Sequence, residues 1–344
     1  MPPKGKGPPK KENESKREKK SFRFRPLPEE VSACLNNLGS NFNFGLYFNK
    51  WLWVTKLLEY KFQARPRVKS LSRAQQNDLY QVDEVLENYK KTQSILNECL
   101  IQKHRDLDAI CEAFQKIGYQ KKEHVCELKT PLIIGLGNAH PTERGFTFHW
   151  TLGLPYIPAE GIKGVVRLAY LVNLAEEDDN FFEHWAAEDE TFWEKLAKPF
   201  GRAEKESGAK RGKVIFLDAL PKESPELTLE ITTCHYSDYY RESRGPTEDQ
   251  QPIPLPFLAV KPGVKFRFVL LMDKDLGEED KEKLLKAFEV ALTEHGFGAK
   301  TALGHGRFRP NVGKLGKEIE QKTEIDISKL TKNPRFKLVV KKQS

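Results

Sequence analysis

The sequence of 344 residues lacks long apolar runs: Val269-Leu270-Leu271-Met272 is typical of its longest. A membrane-spanning helix needs ~20 such residues, so none is expected. Nor does a hydrophobic stretch follow the basic segment 1–20, and the expectation is that there is no secretory signal. Cysteine is scarce. The five, at 34, 99, 111, 126 and 234, form no CxxC pair and leave one over. That excludes an obvious zinc or disulfide scaffold and suits a reducing cytoplasm. No short-period internal repeat is visible. What is present is a 38% apolar and 10% aromatic fraction, enough for a core and too much for a wholly disordered chain.

The net charge of +8 is unevenly placed. Residues 1–25 contribute +7 and residues 332–344 contribute +5, which leaves −4 for the body between them. A nucleic-acid site in that body would require basic residues segregated onto one face.

Four segments follow from the texture of the chain. Residues 1–25 are a basic tail too poor in apolar groups to offset ordering entropy, and read as disordered. Such a tail either touches phosphates or is simply solvated. Residues 26–120 read as a mainly helical extension. Within it, 31–62 suggest a short extended piece and then a helix, closed by Pro66. Ser72 to Ile117 contain neither Pro nor Gly, and Leu79, Val82, Leu86, Tyr89 and Leu107, Ile110, Phe114, Ile117 recur at helical spacing. This predicts one long helix or a helical hairpin, ended by Gly118 as a left-handed cap. Residues 121–331 alternate strands and helices. Strands are expected at 125–128, 131–137, 146–150, 214–217, 227–233 and 265–272, and helices at 161–174, through the acidic stretch 176–193, and at 278–295. Strand, helix, strands, helix, strand is the order of a ferredoxin-like split βαβ unit, so the fold class is α+β. Residues 332–344 are a basic end with one possible strand at 336–340.

Four constellations could carry chemistry. In Gly161-Ile-Lys163-Gly164-Val-Val-Arg167 the two cations share a helix face near the N-terminus, which is unfavourable on both counts. Either an anion compensates, approaching over the glycines, or the face is a solvated basic edge with glycines used for packing. Gly296 to Arg307 places Gly298, Lys300, Gly304, Gly306 and Arg307 in one loop that matches neither GxxxxGK nor GxGxxG. Its glycine density favours a flexible, phosphate-tracking surface with exposed N–H groups over a simple turn. Gly135-Leu-Gly137-Asn-Ala-His140-Pro-Thr-Glu-Arg144 is a polar loop with an imidazole and a guanidinium. His235-Tyr236-Ser-Asp-Tyr239-Tyr240-Arg241 offers aromatic faces for base stacking. His140 or His235 could act as acid or base in RNA cleavage, but no partner base or nucleophile stands beside either, and a structural imidazole is the simpler reading. Cys234-His235 lacks the two further ligands that a metal site needs.

These pieces occur in an order that resembles the RAMP superfamily of CRISPR proteins. Gly153-Leu-Pro-Tyr-Ile-Pro158-Ala-Glu-Gly-Ile-Lys163-Gly164-Val-Val-Arg167 is similar to its G-x-P-x-I-P-G-S-S-L-K-G-x-x-R signature. Pro199-Phe-Gly201, Gly212-Lys-Val-Ile-Phe-Leu-Asp218-Ala219 and the loop 296–307 resemble later family segments. Residues 233–240 and 252–260 are similar to the sixth-subunit family of type III-B (Cmr) effector complexes, and 43–48 more loosely so. Ala159 and Glu160 depart from the family's Gly and Ser, and a carboxylate there opposes a phosphate. The resemblance covers 125–310. It implies a ferredoxin-like core with inserted loops and a non-catalytic place in a ribonucleoprotein. Its partners would be guide RNA near the guide's 3′ end, target RNA and the other type III-B subunits, with no cofactor. The RNA-contacting set would be Gly137, His140, Arg144, Gly161, Lys163, Gly164, Arg167, His235, Tyr239, Tyr240, Gly298, Lys300, Gly304, Gly306 and Arg307. The alternative is a stand-alone, metal-independent endoribonuclease that processes guide-RNA precursors. That would require a histidine gathered with Tyr or Lys, whereas His140, His235 and His305 lie on three separate loops.

Overall fold

A computed structural model describes residues 23–24, 30, 33, 35, 39–52, 54–55, 82–140, 144–178, 180–187, 190–202, 209–234, 236, 239, 245–248 and 253–310. Pro66, Leu79, His235, Tyr240, the possible strand at 336–340 and both basic ends apart from 23–24 lie outside these residues. The elements are β1 (Arg23–Phe24), α1 (Phe44–Leu46) running into a π-helical turn at Tyr47–Trp51, β2 (Val54–Thr55), α2 (Val82–Lys116), β3 (Tyr119–Leu128) and α3 (Ala159–Glu177). Then come α4 (Phe181–Ala186), α5 (Glu190–Phe200), β4 (Gly201–Arg202), β5 (Lys210–Arg211), β6 (Val214–Phe216) and β7 (Leu220–Pro221). They are followed by β8 (Leu227–Cys234), β9 (Ile253–Val260), β10 (Lys265–Asp273), α6 (Glu278–Val290) and β11 (Phe308–Pro310).

The main sheet runs β11-β3-β10-β6, with β7 also on β10, and each of these pairings is antiparallel. The alternation of β10 explains its two faces, because successive side chains point to opposite sides. Phe266, Phe268, Leu270 and Met272 are buried with Leu284, Ala287 and Phe288 of α6 and Ile162, Val166 and Tyr170 of α3. Each such aromatic contributes roughly 2–3 kcal/mol by burial. The odd positions, Val269 and Leu271, instead pack with Cys111 and Phe114 of α2.

Helix α2 is one helix of 35 residues, not a hairpin, and Gly118 after it adopts φ +99°, the left-handed cap the sequence predicts. It is held on the sheet by a charged cluster as well as by apolar contact. Arg267 is 4% exposed on β10. Its guanidinium donates Nε to Glu123 Oε1 and Nη2 to Glu123 Oε2, both at 2.9 Å, and pairs with Asp108. Lys121 completes the set, 2.7 Å from Glu123 and 3.1 Å from Asp108. His104 of α2 is buried and stands 3.0 Å from the Pro221 carbonyl through Nε2. Burial pushes its pKa down, so it is neutral.

Several expectations need correction. Residues 131–137 form no strand. Leu132 makes a single bridge to Val260, and the carbonyls of Pro131 and Ile133 accept N–H bonds from Gly306 and Ala299. Pro131 has no N–H for a ladder, and Gly135 at φ +71° turns the chain. The period-2 pattern at 146–150 buries Phe146 and Phe148 but yields only the bridge Phe148↔Pro155, with Trp150 in a turn. In the N-terminal region the order is reversed. The helical turns at 44–51 precede a two-residue strand, and Arg23 and Phe24 pair with that strand although they lie in the segment expected to be disordered. The acidic stretch makes two helices, and the 278–295 helix changes to a π-helical turn at Ala291–His295.

Candidate nucleic-acid interface

The hairpin β8–β9 is where separate constellations meet. Its register pairs Leu229 with Leu258 and Glu230 with Phe257, which puts Glu230 and Thr232 on one face with Phe257 and Ala259. The glycine-rich loop lies against that face. Ala299 donates to the Ile133 carbonyl at 2.7 Å and Gly306 to the Pro131 carbonyl at 2.9 Å. The Arg307 N–H reaches Thr130 Oγ1 at 3.0 Å. A Cβ on Gly298 would stand 2.2 Å from the Ile133 oxygen, and one on Gly306 would stand 1.9 Å from the Phe297 oxygen. These glycines are needed for close backbone approach. The expectation of a loop with free N–H groups is therefore corrected. The N–H groups of Phe297, Ala299 and residues 303–307 are already used within the fold.

What the loop presents is side chains. Lys300 is the single non-glycine residue at positive φ among the described residues, at +59°. Its ammonium donates to Thr232 Oγ1 at 3.2 Å and lies 5.4 Å from the Phe257 ring centroid. A left-handed lysine costs on the order of 1 kcal/mol relative to glycine. His305 Nε2 is 3.7 Å from Glu230 Oε2. Because Glu230 and Thr232 are neighbours on one strand face, the strand rise sets Lys300 and His305 against positions ~7 Å apart. His305 Nδ1 and Arg307 Nε are both buried with no hydrogen-bond partner among the described residues. The sequence pointed to Lys300 and Arg307 but not to Glu230 or Thr232, which only the hairpin register brings to the loop.

The 135–144 loop joins the same region. Arg144 Nη1 donates to the Pro256 carbonyl at 2.9 Å. His140 stacks on Phe48 with centroids 4.4 Å apart and contacts the Phe48 carbonyl through Nε2 at 2.9 Å. Burial lowers its pKa. Both side chains tie segments together, and Gly137 stands in open space. Tyr239 is half exposed, while His235 and Tyr240 lie outside the described residues.

The first turn of α3 is elsewhere. Its N-terminus is capped by a carboxylate: the Ala159 N–H donates to Asp218 Oδ1 at 2.7 Å. A phosphate seated at that N–H is thereby excluded, and the macrodipole is already answered by Asp218. Gly161, Gly164 and Arg167 are exposed, and a Cβ on either glycine would meet nothing within 4 Å. Among the described residues, therefore, nothing packs on these glycines. Neither Lys163 nor Arg167 has an ion pair among the described residues.

The sequence profile of the RAMP superfamily matches residues 125–309, more than half of the chain. The chain belongs to the RAMP superfamily. Two curated relatives are similar to it. The CRISPR system Cmr subunit Cmr6 of Pyrococcus furiosus is 32% identical over 224 residues, covering 51% of this chain and 64% of that protein. The CRISPR system CMR subunit Cmr6 of Saccharolobus solfataricus is 28% identical over 207 residues, covering 58% and 62%. The chain thus spans a little under two thirds of each relative's length. Among solved structures, a chain in the cryo-EM structure of the Type III-B Cmr-beta bound to cognate target RNA matches with a TM-score of 0.50 at 20% identity. That match covers 82% of this chain and 88% of that one, and it supports the fold. The RAMP profile begins inside β3 and ends inside β11, so it frames the main sheet and the loop carrying Lys300. No helix among the described residues is long and apolar enough to cross a membrane.

Proposed function

We propose that this protein is a non-catalytic, RNA-binding subunit of a type III-B CRISPR ribonucleoprotein effector complex. It would hold guide RNA near the guide's 3′ end and support target-RNA silencing in the cytoplasm. The similarity to Cmr6 proteins supports the subunit role. We read the core as ferredoxin-like, because its strands follow the chain order first to fourth yet stand fourth, first, third, second in the sheet, with α3 and α6 as crossovers. On the sheet face away from α3 and α6, α2 and the Arg267 cluster pack over β10, which argues against RNA there.

The observation that carries the reading is the backbone of Lys300. A glycine would adopt φ +59° without strain, yet a lysine stands there, aimed across Phe257 and Thr232. Strain at a charged side chain points to use of that charge. Lys300→Ala with Arg307→Ala should weaken binding of single-stranded RNA uniformly across sequences and lower the salt slope by about 1.4 for two phosphate contacts. An unchanged slope, or a loss confined to one sequence, contradicts the reading.

One contact favours a second reading, a metal-independent endoribonuclease. His305 stands beside Glu230, on the strand face that also receives Lys300. Incubation of the purified protein with repeat RNA in chelator decides between them. Cleavage abolished by His305→Ala supports the second reading, and intact RNA supports the first.

A further inference from the structure

Trp150 is 80% exposed, more than any other large apolar side chain among the described residues. It does not hang on a loose loop. The Asn43 amide donates to the Trp150 carbonyl at 2.8 Å and the Thr151 carbonyl at 3.1 Å, while its oxygen accepts the Leu46 N–H at 2.9 Å. The turn closes on itself through His149 N–H to Leu154 O at 2.8 Å and Gly153 N–H to His149 O at 2.7 Å. Gly153 is at φ +70°, and a Cβ there would stand 2.8 Å from Asn43 Oδ1 and the Phe44 nitrogen. Seven polar contacts and a glycine in the left-handed region thus fix a turn whose tip is an indole in water.

His149 adds a directed donor beside it. Its Nδ1 accepts from the Thr151 hydroxyl at 3.2 Å and the Leu152 N–H at 3.4 Å. With Nδ1 accepting, the neutral ring carries its proton on Nε2. The ring is set edge-on to Tyr156 at 5.2 Å. Burial, and then the charge of Lys103, lower its pKa, so the ring is neutral near pH 7.

We infer that the His149–Gly153 turn is a stacking site for an unpaired RNA base, with Trp150 as the platform and His149 Nε2–H as a donor to the base or its ribose-phosphate. A rigid aromatic face binds any base without sequence preference. Preorganisation of the turn removes the ordering cost that a mobile tryptophan would add. The surroundings favour RNA over a protein partner. The residues flanking the indole are the polar His149 and Thr151, whereas a protein hot spot sits inside a ring of contacts that excludes water. Lys103 and the Asp218 carboxylate act on His149 with opposite sign, so the turn adds no net charge, and what it offers is the indole face and the neutral donor. The inference rests on the RNA-binding reading above and adds a site separate from the glycine-rich loop.

The test compares the parent protein, Trp150→Ala, Trp150→Phe and the Lys300→Ala/Arg307→Ala protein. The probes are an oligouridylate of about 15 nucleotides and an abasic ribose-phosphate oligomer of equal length. Trp150→Ala should leave the melting temperature unchanged and weaken oligouridylate binding about tenfold with the salt slope intact. Abasic binding should stay at the parent level, and Trp150→Phe should retain most of the affinity. Oligouridylate affinity at the parent level overturns the site, as does an equal loss on both probes. So does a defect confined to association with protein subunits. If the parent binds neither probe, both readings fall. If only the Lys300/Arg307 substitutions matter, the loop reading stands and this one fails.

Discussion

The first turn of α3 and the loop after α6 have the same ingredients, two or more glycines with a lysine and an arginine within a dozen residues, and the fold treats them oppositely. In the loop, a Cβ on Gly298 or Gly306 would penetrate a carbonyl, and Lys300 is held by Thr232 and Phe257. In α3, Gly161 and Gly164 face open space. Glycine thus serves two ends: where backbone meets backbone it is a requirement of the fold, and where nothing is near it weakens the helix and leaves a smooth surface. The same division holds for cations. Arg267 is enclosed by two carboxylates, whereas Arg167 is exposed with no ion pair among the described residues.

The sharpest way to break this comparison is Gly306→Ala. The added methyl would sit 1.9 Å from the Phe297 oxygen at a φ of +71°, and the clashing atom is backbone, so no rotamer relieves it. The Gly306 N–H to Pro131 bond and the loop's seat on 130–133 would shift together. A loss of about 4 kcal/mol is expected, seen as a fall in melting temperature of about 10 °C. A change under about 1 kcal/mol would mean that the loop is not fixed by these contacts.

Next in size is Arg267→Ala. It removes the shared partner of Asp108 and Glu123 and opens space beneath α2. About 3 kcal/mol is expected, toward the low end for a broken buried pair because Asp108 is half exposed. Arg267→Met, which restores the packing, separates the cavity from the charge. Acid reports the same cluster. The Arg267 hydrogen bond holds the Asp108 pKa below its ordinary value. Burial raises that of Glu123, but the bonds from Arg267 and Lys121 outweigh it and the net shift is downward. Depressed carboxylate pKa values mean a contribution present above the unfolded values near 4 and lost as pH falls through the folded ones. The parent should therefore lose stability more steeply below about pH 4 than Arg267→Met does. Parallel titrations would remove the cluster from the account.

Period and punctuation were legible in the sequence. The absence of Pro and Gly from 72 to 117 allowed one long helix or a hairpin, of which the structure has the helix, and Gly118 marked its end. The strands at 214–216, 227–234 and 265–273 and the helices after Pro158 and Gly277 were legible too, because each is a local pattern, whereas the short strand at 308–310 was not. What could not be read were the partners that register supplies. Glu230 meets His305 and Thr232 meets Lys300 only because β8 pairs with β9 residue by residue and the loop crosses one face of the hairpin. Arg267 lies within the expected strand at 265–272, and nothing local foretells that Asp108, 159 residues earlier, stands 3.4 Å from its Nη1. Trp150 fits the alternating pattern that predicts a strand at 146–150. Its role as the tip of a turn depends on Asn43, more than a hundred residues away.

The smallest expected effects lie on the open side of the comparison, and their sign is what matters. Gly164→Ala adds a methyl where nothing lies within 4 Å and removes a helix-interior glycine, so it should stabilise the isolated protein by about 1 kcal/mol. Arg167→Ala relieves the like-charge spacing with Lys163 and should change stability by no more than a few tenths of a kcal/mol. If the exposed turn is kept smooth and basic for a neighbour, each should cost RNA retention or assembly while the isolated chain is as stable as before or more so. Thermal melts of the single protein, run beside filter binding of the same preparations, resolve the two quantities. A Gly164→Ala protein that melts lower would show that a hidden packing constraint fixes the glycine, and α3 would then belong with the held segments after all.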